Sequence, residues 1–212
     1  MSDLPAFLIL KFPAPDDEAS IERWSRAIGA ARGTILAAAT ADVVKQLEDG
    51  SAHDSLVLAR FPTASDLDQF WSSAPEQPAG FVALAAEGLP WEGWPGHDVP
   101  TIATVAVPDD GAPRCYMLIE GTGHDEERLD RYRDIILPML RERGAYYVLF
   151  SLGGTTRVLS GEWDEAVLAI SRWPSQARAE EFWYSDRYQK VAIPVRTGVS
   201  RFDVQIVNGI AG

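Results

Sequence analysis

WPSQARAEEFWYSDRYQK, residues 173–190, is answered by FPTASDLDQFWSSAPEQP at residues 61–78. The two align without a gap: Pro62 with Pro174, Phe70 with Phe182, Trp71 with Trp183, Ser73 with Ser185 and Gln77 with Gln189, each pair 112 positions apart (174 − 62 = 112). That offset is about half of the 212-residue chain, so the sequence reads as two copies of one unit.

Outward from these segments the two halves repeat one order of elements. In the first, the apolar run Ala6 to Phe12 reads as a strand bounded by prolines, and a helix starts near Asp16. Ile21, Trp24, Ile28 and Ala31 fall at spacings of three, four and three, which places them on one helical face. Gly33 is the expected helix stop. Thr34 to Thr40 and Ser55 to Phe61 read as strands, with a polar turn across Ala41 to Asp54. Thr63 with Asp66 caps the next helix. Ala79 to Glu87 is expected to continue as a short helix, Gly88 to Pro100 is irregular and reads as a lid or an edge cover, and Thr101 to Val107 is the expected fourth strand.

Past the turn-rich stretch Asp109 to Pro113, strands are expected over Cys115 to Glu120, Ala145 to Leu152, Ala166 to Trp173 and Arg201 to Val207. Helices are expected from Asp125, where Pro138 should kink or end the run, and around Phe182 and Trp183. Each half is thus strand, helix, strand, strand, helix, strand, the ferredoxin-like order. The fold expected is α+β: tandem ferredoxin-like repeats forming a single-chain pseudodimeric α+β barrel, in which the two bare sheet faces bury each other. The units are 1–108 and 114–212, with 109–113 as linker.

Composition narrows the partners. A formal charge of −12 gives a surface that repels phosphate backbones, so nucleic acid is not an expected partner. The chain has no long apolar run and opens without a basic leader, so neither a membrane span nor a secretory signal is expected. A lone Cys115 leaves no intrachain disulfide, and a cytoplasmic address is the simplest reading. His53, His97 and His124 lack metal-ligand spacing, so neither metal nor other cofactor is expected. The protein would be a monomer serving as its own pseudodimer, or a homodimer.

The second half resembles the domain of unknown function 1330 (DUF1330) family of the dimeric α+β barrel superfamily. The resemblance rests on Tyr132, Pro138, Arg143 and Gly144, the LSGEW turn from Leu159 to Trp163, WYSDRYQ from Trp183 to Gln189, Arg196, and the closing Val207, Asn208 and Gly209. The first half keeps only Gly33, LEDG at Leu47 to Gly50, and FWSSAPEQ. The superfamily contains monooxygenases, muconolactone isomerases and haem peroxidases. What the resemblance implies is therefore a small-molecule protein, with cofactor-independent oxygenation or isomerisation of a small carbonyl or aromatic compound as one chemistry and a non-catalytic binding or oligomerisation module as the alternative.

The 112 offset also marks where the halves differ. Tyr184 aligns with Ser72, Tyr188 with Glu76 and Arg196 with Leu84, so the polar aromatic set belongs to the second half alone. Arg196 can hold a carboxylate or enolate in a bidentate contact, and Tyr188 or Tyr132 can donate to a developing oxyanion. The competing reading pairs Arg196 with an acid such as Glu162 and makes the aromatics core. Glu162, between Gly161 and Trp163, is the candidate general base, or else a solvated turn carboxylate. The candidate cavity is lined by Tyr132, Trp183, Tyr188 and Arg196, with Tyr184 beside it.

Overall fold

A computed structural model describes residues 4–13, 17–48, 54–89, 98–101, 105, 114–152 and 154–210. In strand β1 (Ala6–Phe12), Leu8, Leu10 and Phe12 pack into one apolar cluster while Phe7 and Ile9 pack into another. A strand buried on both faces needs apolar residues at every position, which is why this run does not alternate with polar residues. Helix α1 (Asp17–Ala30) lays Trp24 and Ile28, both fully buried, over the outer face. Helix α2 (Ala64–Trp71) is capped by Thr63, whose hydroxyl accepts from the Asp66 amide at 3.1 Å.

The first sheet runs β2 (Thr34–Ala39), β4 (Ser55–Phe61), β1, β5 (Val82–Glu87) and β8 (Arg157–Ser160). The second runs β7 (Tyr146–Leu152), β9 (Val167–Trp173), β6 (Cys115–Gly123), β10 (Ser200–Asn208) and β3 (Lys45–Glu48). Every pairing in both sheets is antiparallel. The fifth strand of each sheet comes from the other half of the chain: β3 pairs with β10, and β8 with β5. The two exchanged strands are themselves repeat-equivalent, since 157 − 45 = 112. Exchange covers an edge strand that would otherwise present unpaired backbone groups.

Between the sheets lies a core drawn from both, with Phe7, Ile9, Leu58 and Leu84 from one and Tyr116, Leu118, Leu168 and Ile170 from the other. Outside the second sheet, α3 (Glu126–Glu142) and α4 (Gln176–Trp183) bury Leu129, Tyr132, Ile136, Met139, Phe182 and Trp183. The result is the tandem ferredoxin-like, pseudodimeric α+β barrel.

Several expectations are corrected. Residues 82–87 form β5, not a helix, because a central strand beside β1 must bury Ala83, Leu84, Ala85 and Ala86 on both faces. Most of the strand expected over Thr101 to Val107 lies outside the described residues, as do His53, His97, residues 90–97 of the irregular loop, and the linker. The turn across Ala41 to Asp54 contains β3. Helix α3 runs through Pro138 to Glu142; Pro138 and Asp134, whose carbonyl loses its partner, are both exposed, so water satisfies that group. At the end of α1 the left-handed residue is Arg32 (φ 63°), and Gly33 is required because a Cβ there would sit 2.5 Å from Ile28 Cγ2. The pairing of Arg196 with Leu84 fails: Leu84 lies on β5 in the barrel interior, whereas the second half inserts a π-helical turn (Tyr188–Ala192) and α5 (Ile193–Arg196) before its last strand.

Candidate functional site

The inserted turns bring three of the expected side chains together. Tyr132 and Tyr188 share a hydrogen bond between hydroxyls at 2.9 Å, and the Arg196 guanidinium carbon lies 5.4 Å from the Tyr132 ring centre and 5.0 Å from that of Phe202. Trp183 packs on Tyr188 with ring centres 4.8 Å apart. Burial raises the pKa of both phenols despite the nearby Arg196 charge, so both are neutral donors at physiological pH.

Arg196 is 3% exposed, and both its terminal nitrogens donate to Glu48, Nη1 to Oε1 at 2.9 Å. Burial opposes its charge, but the Glu48 carboxylate and then the two phenols outweigh that and hold its pKa raised. The acid that pairs with Arg196 is therefore on β3, from the first half, and is not Glu162. Glu162 is exposed in the turn after β8, and Tyr184 is 58% exposed with the Lys45 ammonium 5.6 Å from its ring centre. Neither joins the Tyr132–Tyr188–Arg196 group. Between α3 and its sheet the space left is about 40 Å³, bordered by Tyr132, Ile136, Phe150 and Phe202. Room of that size suits about one water.

A larger cavity of about 130 Å³ opens at the end of the barrel where β1 and β6 begin. Cross-strand register builds it. On the second sheet Tyr116 stands opposite Arg172, and Arg172 opposite Tyr146; on the first, Phe7 stands opposite Arg60. Arg172 Nη1 donates to the Tyr146 hydroxyl at 2.9 Å, while its Nε has no hydrogen-bond partner among the described residues. Arg60 is exposed at the rim and forms no ion pair among the described residues. Burial raises the Tyr116 pKa against the opposing fields of Arg172, Arg60 and Arg114. Most of the rest of the wall is apolar, including Leu36, Leu89 and Val148, with Thr101 and Tyr147 adding hydroxyls, and the Leu89 amide donates to the Val148 carbonyl at 3.2 Å, tying the segment after β5 to β7. No carboxylate occurs among the described lining residues.

None of these cavity residues was singled out from the sequence. A signal for them was present: Arg60 and Arg172 are 112 apart, in Ala-Arg-Phe-Pro and Ser-Arg-Trp-Pro, immediately ahead of the repeat that decides the fold.

Toward the other end of β1 and β6, Lys11 pairs with Glu120 at 2.6 Å, and the Trp163 indole donates to Glu120 at 2.8 Å. Asp54 and Asp203 lie within their field; burial raises both pKa values, Lys11 opposes the rise and Glu120 adds to it. Among the described residues no group of His, Cys, Asp and Glu is arranged to hold a metal ion.

Residues 114–210 match the model of a domain of unknown function, DUF1330. No curated protein matches the chain. Among solved structures, a candidate monooxygenase from Fusobacterium nucleatum subsp. nucleatum is similar at 8% identity and TM-score 0.51, covering 100% of this chain and 99% of that one. An anthrone oxidase-like protein (13% identity) and chlorite dismutase from Candidatus Nitrospira defluvii (12%) each reach TM-score 0.49 over 99% of this chain and 92% of theirs. At 8% identity the likeness to the Fusobacterium protein is one of fold alone. The motif glycine of the DUF1330-like LSGEW turn has a structural reason: Gly161 has φ +77°, and a Cβ there would sit 2.4 Å from the Phe81 carbonyl oxygen of the opposite half.

Proposed function

We propose that this protein is a small-molecule-binding barrel whose ligand is an organic anion held in the cavity at the barrel end. The observation that carries the reading is Arg172, oriented by Tyr146 in the wall of a cavity that has no acid among its described lining residues. An arginine kept without a carboxylate, in a chain with 31 acidic and 19 basic residues, is a preorganised anion contact. Tyr116, kept neutral by burial, supplies a hydroxyl donor, and the apolar wall takes the hydrocarbon part of the ligand. One chain supplies both sheets of the barrel, so units 1–108 and 114–212 act as the two protomers of a dimer joined through 109–113.

Oxygenation or isomerisation at the second-half cluster is the other reading, favoured by the convergence of Tyr132, Tyr188 and Arg196. It requires Glu48 to leave Arg196 and the space of about 40 Å³ to grow. Binding at the barrel end requires no such rearrangement.

The test is a thermal-shift screen of small carboxylates against their amides and alcohols. Carboxylates are expected to raise Tm where the neutral isosteres do not, and Arg172→Met is expected to remove the shift while Arg196→Met leaves it. Stabilisation that survives Arg172→Met refutes the assignment.

A further inference from the structure

Arg60 and Arg172 are the same position in the two repeats, one on each sheet, and both line the one cavity. Other positions matched by strand register have diverged: Phe7 stands opposite Arg60 where Tyr116 stands opposite Arg172, Thr34 takes the place of Tyr146 beside that arginine, and Lys11, opposite Leu56, takes that of Glu120, opposite Leu168. The arginines have not. Two guanidinium groups brought to one cavity repel each other, and in a protein of net charge −12 a neighbouring acid would be the ordinary remedy. Among the described residues neither has one. The two arginines enter the cavity from different sheets, Arg60 from β4 and Arg172 from β9, so the two charges come to one space from separate walls.

We propose that the ligand is a dianion with two separated heads, a short α,ω-dicarboxylate, one carboxylate on Arg172 and the other on Arg60, with its methylene chain across the apolar wall. This rests on the reading of the cavity as an anion site and adds the second charge. The two ends differ in character. Arg172 is held by Tyr146 and has Tyr116 beside it, so the first carboxylate meets an oriented guanidinium and a phenol donor. Arg60 is exposed and unheld, so the second is closed over by a mobile side chain that gives up rotamer freedom on binding. The cavity, about 130 Å³, is of the order of an engineered cavity of about 150 Å³ that accepts benzene, which favours a linker of roughly two to four carbons.

Isothermal titration on the full chain separates the two proposals. Succinate, glutarate and adipate are compared with propionate, butyrate and valerate, and with inorganic phosphate as a compact dianion. One dicarboxylate is expected to bind at least about ten-fold more tightly than the monocarboxylate of like length, since a second charge-assisted contact adds about 1.4 kcal/mol or more. Arg60→Met, at an exposed position where folding is checked by circular dichroism, is expected to cost the dicarboxylate at least about ten-fold and the monocarboxylate less, bringing the two classes together. Equal binding of the two classes, unaltered by Arg60→Met, overturns the dianion while leaving a single-anion site at Arg172. Phosphate binding as tightly as the best dicarboxylate also overturns it, because a compact ion does not need two separated heads. No binding by any carboxylate removes both proposals.

Discussion

Glu48→Ala tests the strand exchange and the Arg196 environment together. The Arg196 side chain is 4% exposed and that of Glu48 28%, and the bond between them ties β3 of the first half to the helical layer of the second. Removing one partner of a buried ion pair costs about 3–5 kcal/mol, because the remaining charge is stranded. The partial exposure of Glu48 admits water once its carboxylate is gone, and surface pairs are worth only about 0–1 kcal/mol, so the expected loss is about 2–3 kcal/mol. At about 2–4 °C per kcal/mol for a chain of this size, Tm falls by roughly 4–12 °C. Urea unfolding followed by tryptophan fluorescence measures it as a shift in midpoint at constant slope. Arg196→Met closes the cycle. The double variant no longer strands a charge and is expected to be more stable than Glu48→Ala alone, since paired hydrophobic replacement of a buried ion pair is often neutral. A Glu48→Ala loss below about 0.5 kcal/mol, the size of an ordinary surface change, would refute the buried pair and with it the lock on β3.

Two further outcomes follow from the same packing. Gly161→Ala is expected to destabilise by about 1–3 kcal/mol, because an L side chain at φ +77° is strained and its Cβ would collide with the Phe81 carbonyl; the reading fails if the urea midpoint stays at the wild-type value. Asp203 has a folded-state pKa raised by burial and by Glu120, against Lys11, and its neighbour Asp54 shares those causes. A raised folded pKa means that the native state binds the proton more tightly than the unfolded chain. The penalty for the charge is complete above the folded pKa and is relieved as pH falls through it toward the unfolded value of about 3.9. Asp203→Asn keeps an oxygen for Gln46 and removes the charge, so Tm is expected to rise near pH 7 and to match the wild type near pH 4; an equal rise at both values would assign the gain to packing instead.

Much of the fold was legible because its signals are local. The Trp24 and Ile28 face of α1, the Thr63 cap, the helix start at Asp125 and the apolar runs of β1, β4, β6 and β9 depend on residues within a turn or two of each other. Where the reading failed, a local preference was overruled by distant partners. The alanines of β5 suit a helix in isolation, but pairing with β1 makes them a strand. Lys45 to Glu48 reads as a polar turn, and becomes strand β3 only because β10 offers it an edge. The site divided in the same way. Of Tyr184, Tyr188 and Arg196, set apart by contrast with the first half, the last two converge with Tyr132 while Tyr184 stays exposed, and the acid that occupies Arg196 sits 148 positions away on a strand the sequence did not announce.

By itself the sequence determined the matched segments 112 apart, the helical faces and most of the strands, since an offset and the period of the apolar residues are properties of the chain read one segment at a time. Only the tertiary structure decided which strand crosses to which sheet, which arginine is neutralised and which is left open. Those outcomes depend on register between strands far apart in sequence. Arg172 stands opposite Tyr116 and Tyr146, and Arg60 opposite Phe7, only once five strands have settled into two sheets, and pairing of that kind leaves no periodic trace in the residues that make it.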